Sequence, residues 1–201
     1  MFGKIKTMLG LVLSLQLIII ATVSRLDVID AHAADELKSA VDCSFIIPPE
    51  FIPGGETGLF VNRNAPMESS TIKYSCYDNG ADKVLTNRQK KELEESGVRQ
   101  IIDSSRNLTK EIYQEQMKLA YDQEFGQNVG FNVSSFENIT IDGYPGYRIV
   151  SSFQPGGEET IHQTVYIVLS KYRTFTISFQ RAEDDDCEDL FDKSAQTIHV
   201  K

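Results

Sequence analysis

The sequence predicts an α+β domain, a central antiparallel sheet of about six strands flanked by helices. Three observations predict it. From residue 127 onward the apolar residues mostly alternate with polar ones, the period that sets successive side chains on opposite faces of a strand. The links between these runs, Asp142-Gly143, Pro155-Gly156-Gly157 and Ser170-Lys171, are long enough for antiparallel neighbours and too short for crossovers. Ahead of them, residues 110–125 carry apolar side chains at helical spacing, an arc that needs a sheet to cover.

Each element has its own local signal. Residues 1–33 read as a secretion leader and not as structure: Lys4 and Lys6 precede an apolar run at 8–23, and Ala31-His32-Ala33 has the small-x-small pattern of a cleavage site. The alternative is a retained anchor, against which the run is slightly short for a bilayer. Residues 34–40 are a leader into the single domain, 41–201. A first strand at 41–47 stops at Pro48-Pro49, because proline donates nothing to a ladder. A second strand is expected at 70–77. Thr86 caps a short polar helix at 87–96, and Thr109 caps the longer one at 110–125, whose arc is Ile112, Tyr113, Met117, Ala120 and Tyr121 and whose stop is Gly126. Strands follow at 131–135, 139–141, 147–153, 161–169 and 172–180. A closing helix anchored by Leu190 and Phe191 and a terminal strand around Ile198 and Val200 end the chain.

Charge and composition narrow the function. Lys plus Arg is 20 against 29 for Asp plus Glu, a net charge of -9 over 201 residues. Removal of the leader would make the chain more acidic still, so nucleic acid is excluded as a partner, as is anionic membrane after cleavage. The sequence contains no His-Glu-x-x-His, Cys-x-x-Cys, Gly-x-Ser-x-Gly or phosphate-binding loop. Three cysteines, Cys43, Cys76 and Cys187, allow at most one disulfide, with Cys43 and Cys76 the pair in successive strands.

Two constellations remain. In the last two long strands, His162, Thr164 and Tyr166 with Tyr172, Thr174 and Thr176 are read as one face of amphipathic rings and hydroxyls, the composition that partner and ligand surfaces use. A half-solvated face of good strand formers has the same composition. Asp184, Asp185 and Asp186 lie in an acidic stretch that could supply oxygen ligands to calcium. They lack EF-hand spacing, and carboxylates before a helix are explained by its dipole.

The element order resembles the PsbP-like superfamily. The carrying residues are the Ile141-Asp142-Gly143 turn, Gln163-Thr164-Val165-Tyr166 and Thr174-Phe175-Thr176-Ile177-Ser178-Phe179. That superfamily includes extrinsic PsbP subunits of photosystem II, a Ran-binding Mog protein and many exported bacterial proteins. The resemblance implies an αβα sandwich with binding or assembly roles and no cofactor. The expectation is therefore an exported, non-enzymatic binding or accessory domain that meets a protein or small ligand in the cell envelope or beyond it. The alternatives are a hydrolase or other enzyme with an unrecognised site, and a membrane-anchored envelope component.

Overall fold

The computed structural model describes residues 38–65, 67–78, 108–171 and 173–201. The expected secretion leader, most of the link at 34–40, the polar helix at 87–96 and Tyr172 lie outside them. Of the run expected as a first strand, only β1 (Cys43–Ser44) is a strand, because its partner offers two residues, His199 and Val200; Val41 and Asp42 add backbone bonds to Lys201. Next come β2 (Phe51–Pro53), β3 (Leu59–Asn62) and β4 (Thr71–Asp78). β2 is short and ends on a proline, which only a sheet edge tolerates, and it lies at an edge.

Helix α1 (Lys110–Phe125) begins and ends where its caps dictate. Thr109 Oγ1 accepts from the Ile112 amide at 3.3 Å, and Gly126 takes the left-handed conformation at φ 67°. Tyr113, Met117, Ala120 and Tyr121 are buried, whereas Ile112, expected within the arc, faces outward. The meander then runs through β5 (Asn132–Ile141), β6 (Tyr144–Phe153), β7 (Ile161–Leu169) and β8 (Arg173–Ala182). Asp142 and Gly143 both have positive φ, 52° and 82°, as a two-residue hairpin turn requires. Phe136, Glu137 and Asn138 also pair with β6, which makes two expected strands one β5, with a bulge between Val133 and Ser135. Helix α2 (Glu188–Ala195) and β9 (His199–Val200) close the chain, β9 pairing with β1.

Among the described residues the main sheet has seven antiparallel strands in the order β2-β3-β4-β8-β7-β6-β5, one more than the approximate expectation of six. Its two faces carry two cores. On one, Tyr113, Met117 and Tyr121 of α1 meet Phe131, Val133, Ile149, Phe153, Val165 and Ile167. On the other, Phe191 of α2 and the segment from Ala40 through Phe45 cover Phe51, Ile72, Phe175, Ile177 and Phe179. Tyr121 stacks on Phe153 at 4.4 Å, and Phe191 sits 5.2 Å from Phe179. Among the described residues no helix is long and apolar enough to cross a membrane.

This two-sided packing corrects one expectation. Thr174 and Thr176 do not share a face with His162 and Tyr166. Register places Thr176 opposite Ile167 and Thr174 opposite Leu169, whereas Tyr166 is opposite Ile177. Four residues separate the paired Leu169 and Thr174, so odd-numbered positions of β7 meet even-numbered ones of β8. The apolar set of β7 therefore faces α1, and that of β8 faces α2. Thr174 and Thr176 are buried on the α1 side.

Candidate functional site

With β7 and β8 in this register, a different set of side chains comes together on the α2 side of the sheet, beside α2. Cross-strand pairing arranges them in rows. One row is Ser152, His162 and Arg181. The next is Ser135, Val150, Thr164 and Phe179. The third is Glu137, Arg148, Tyr166 and Ile177. His162, Thr164, Tyr166, Arg148 and Val150 are all half-buried, and Glu137 on the edge strand is exposed.

The third row is bonded along its length. Arg148 Nε donates to the Tyr166 hydroxyl at 3.3 Å, and its Nη1 pairs with Glu137 Oε1 at 3.3 Å. Ser135 Oγ donates to the same Glu137 oxygen at 2.7 Å. The Tyr166 bond raises the already high guanidinium value further, so Arg148 stays a cation. Tyr166 also stands edge-on to Phe179 at 6.0 Å, which ties the open patch to the apolar core beside it. Arg181 is held by Glu188 of α2 at 2.9 Å. The patch thus combines a fixed cation, an amphipathic ring, hydroxyls and an imidazole. Arg148 and Glu137 were not singled out from the sequence, because what brings them beside Tyr166 is strand register and not spacing.

The other expected residues go elsewhere. Asp184 and Asp186 are exposed, while Asp185 turns inward and accepts from the Ser69 amide at 3.0 Å and from Ser70 Oγ. Asp184 instead meets Glu159, whose carboxyl is raised by their hydrogen bond and by the neighbouring acidic charges. Among the described residues no group of three His, Cys, Asp or Glu side chains is placed to hold a metal ion. None of the three cysteines is in a disulfide; Cys43 and Cys187 are buried and Cys76 is exposed. Burial pushes the Cys187 thiol up to about 11, and its Sγ donates to Ser70 Oγ at 3.0 Å.

A shallow groove of about 490 Å³ opens at the end of the sheet, lined by Asn128, Val129, Gly130, Ser152, Phe153, Gln154 and Thr160. Its lining has no titratable side chain. On the α1 side, β4 and β8 present Thr71, Lys73, Ser178 and Gln180, all buried. Gln163 Nε2 donates to Tyr121 and to Gln180, and Lys73 pairs with Glu56 at 3.0 Å. Thr71 Oγ1, Ser178 Oγ and Gln180 Nε2 have no hydrogen-bond partner among the described residues.

No family model and no curated protein matches the chain. Solved structures do. The solution structure of cyanobacterial PsbP (CyanoP) from Synechocystis is similar, with TM-score 0.52 and 17% identity, covering 79% of this chain and 86% of that one. A protein from Bacteroides thetaiotaomicron matches at TM-score 0.39 and 13% identity, over 79% of this chain and 45% of that one. A Pseudomonas aeruginosa protein of unknown function matches at TM-score 0.38 and 11% identity, over 86% and 88%. The CyanoP likeness establishes a PsbP-like fold, as the sequence resemblance implied.

Proposed function

We propose that this protein is a non-enzymatic binding or accessory domain that meets a protein partner on the open face of β5, β6 and β7. The carrying observation is the Glu137, Arg148 and Tyr166 row: a half-buried cation and ring, already positioned by their neighbours and ending at an edge strand. Arg and Tyr are the residues that dominate partner binding when part of their surface is already desolvated. The leader expected at 1–33 would deliver the domain outside the cytoplasm, where a soluble acidic module needs neither cofactor nor metal to act. The alternative of an enzyme finds little support in the groove, since its lining has no titratable side chain to activate the Ser152 or Thr160 hydroxyl.

The test is capture of partners from the envelope fraction by the full chain and by Arg148→Ala. Glu115→Ala on the exposed side of α1 serves as control. Loss of a captured protein with Arg148→Ala alone, at unchanged melting temperature, supports the reading. An identical set of captured proteins from all three refutes it.

A further inference from the structure

We propose that Cys43 and Cys76 are a disulfide-forming pair that staples the N-terminal segment to β4. The segment's path over the sheet is bracketed on both sides of Cys43. Before it, the Val41 carbonyl accepts from Arg173 Nη1 at 2.6 Å, and Arg173 pairs with Asp78 in the ladder. After it, the Phe45 ring lies 6.1 Å from Tyr74 and 6.2 Å from Phe179. The segment therefore runs antiparallel to β4, with residue 41 at the level of residue 78 and residue 45 at the level of residue 74. Cys43 falls at the level of Cys76.

Side-chain direction agrees with that placement. Cys43 is buried in the same core as Phe175, the residue that pairs with Cys76 across the β4 and β8 ladder. Cys76 is two residues from Tyr74 on one strand, so both point to the face that Phe45 covers. The two thiols also feel each other electrostatically: after burial and Asp42, Cys76 is the next cause that raises Cys43, which stands at about 12. The structure holds the reduced form.

Cys76 is the exposed thiol and so the point of entry. Its thiolate attacks one sulfur of a donor disulfide such as oxidised glutathione, releasing one glutathione thiolate and leaving a mixed disulfide. Cys43 then loses its proton, attacks the Cys76 sulfur and displaces the second glutathione. Two protein thiols are oxidised, and one donor disulfide is reduced to two thiols. Cys187, buried and bonded to Ser70 across the core, stays out of the exchange.

The experiment incubates the full chain with oxidised glutathione and reads intact mass, free thiols in denaturant, and the peptide map. The expected product has lost two hydrogens, keeps one titratable thiol, and joins the Cys43 peptide to the Cys76 peptide. Because the bond closes a loop of roughly thirty residues, reduction should lower the melting temperature by roughly 8–15 °C. Cys76→Ala, a change at an exposed position, should abolish all of these effects. Three titratable thiols after incubation, a stable glutathione adduct at Cys76, a dimer linked through Cys76 or a bridge that uses Cys187 would each overturn the proposal.

Discussion

Replacing Thr176 with Asp and, separately, Thr164 with Asp tests the register on which the candidate site depends. The two threonines sit on adjacent strands of similar sequence, yet the structure puts them on opposite faces. Thr176 is 7% exposed and opposite Ile167 on the α1 side of the sheet, whereas Thr164 is half-buried in the open patch diagonal to Arg148. An ionised carboxylate at 176 loses its water. Burial raises such a group by about 3–5 pKa units at most, and at about 1.4 kcal/mol per unit the upper bound is roughly 4–7 kcal/mol. Lys73 lies diagonally across β4 and offsets part of this, although it is already paired with Glu56 at 3.0 Å. About 3 kcal/mol should remain at pH 7, a fall in melting temperature of roughly 6–12 °C for a domain of this size. At 164 the carboxylate keeps its water and gains Arg148 as a neighbour, so the change should stay within about 0.5 kcal/mol. The raised folded value also sets the pH dependence. The penalty at 176 is absent below the unfolded carboxyl value of about 4, grows as pH rises, and is complete above the folded value. Thermal melts of both variants from pH 3 to pH 8 should therefore converge at the acid end and separate at neutrality. If Thr176→Asp melts with the wild type at pH 7, or Thr164→Asp melts below it by more, the assignment of faces is wrong.

Three further outcomes follow from single contacts. Gly146→Ala would place a Cβ 2.1 Å from the Ile167 carbonyl oxygen between β6 and β7, and should cost about 3 kcal/mol in urea unfolding. Gly157→Ala, with open space but φ at 83°, should cost about 1–2 kcal/mol; equal losses would refute the steric account. Ser178→Ala deletes a buried hydroxyl that has no partner among the described residues, so stability should hold or rise by about 1 kcal/mol, and a clear loss would show that the hydroxyl is bonded. The Asp142 carboxyl is held below its usual value by the Val200 amide and by His199, so its contribution is full above about pH 4 and fades as pH falls through the lower folded value. Asp142→Asn keeps the turn but not the charge; its melting temperature should fall less than that of the wild type between pH 5 and pH 3, and parallel curves would contradict the assignment.

What was legible in the sequence was local. Thr109 and Gly126 mark α1 to the residue, and Asp142-Gly143 marks its hairpin, because a cap or a primed turn is decided by a few adjacent side chains. What was not legible depends on partners distant in the chain. No strand is expected at β2, since Pro53-Gly54-Gly55 signals a turn, and it is a strand only because an edge position forgives its proline. β5 looked like two strands because the bulge after Val133 reverses the alternation, sending Phe136 to the side where Val133 already points. Thr174 and Thr176 were assigned to the open face on the premise that the apolar residues of β7 and β8 line one core. With helices on both sides of the sheet each strand feeds a different core, and sequence alternation alone cannot tell these arrangements apart.

The location of the site follows from helix length. Seven strands about 4.8 Å apart make a sheet nearly 30 Å across. Helix α1, with 16 residues and so about 24 Å long, packs its aromatic side over β5, β6 and β7 on one face. On the other face α2 has only 8 residues, about 12 Å, and with the segment around Phe45 it covers β2, β3, β4 and β8. The two apolar cores therefore lie diagonally across the sheet, and the remaining quadrants carry polar residues. One holds Thr71, Lys73, Ser178 and Gln180. The other holds Glu137, Arg148, His162, Thr164 and Tyr166, and it is half-exposed. Lengthening α2 at its C-terminal end would not simply add stability, because its next turn would have to replace the strand at His199 and Val200 that anchors β1. The same C-terminal strand that holds the N-terminal segment over the core thus limits α2.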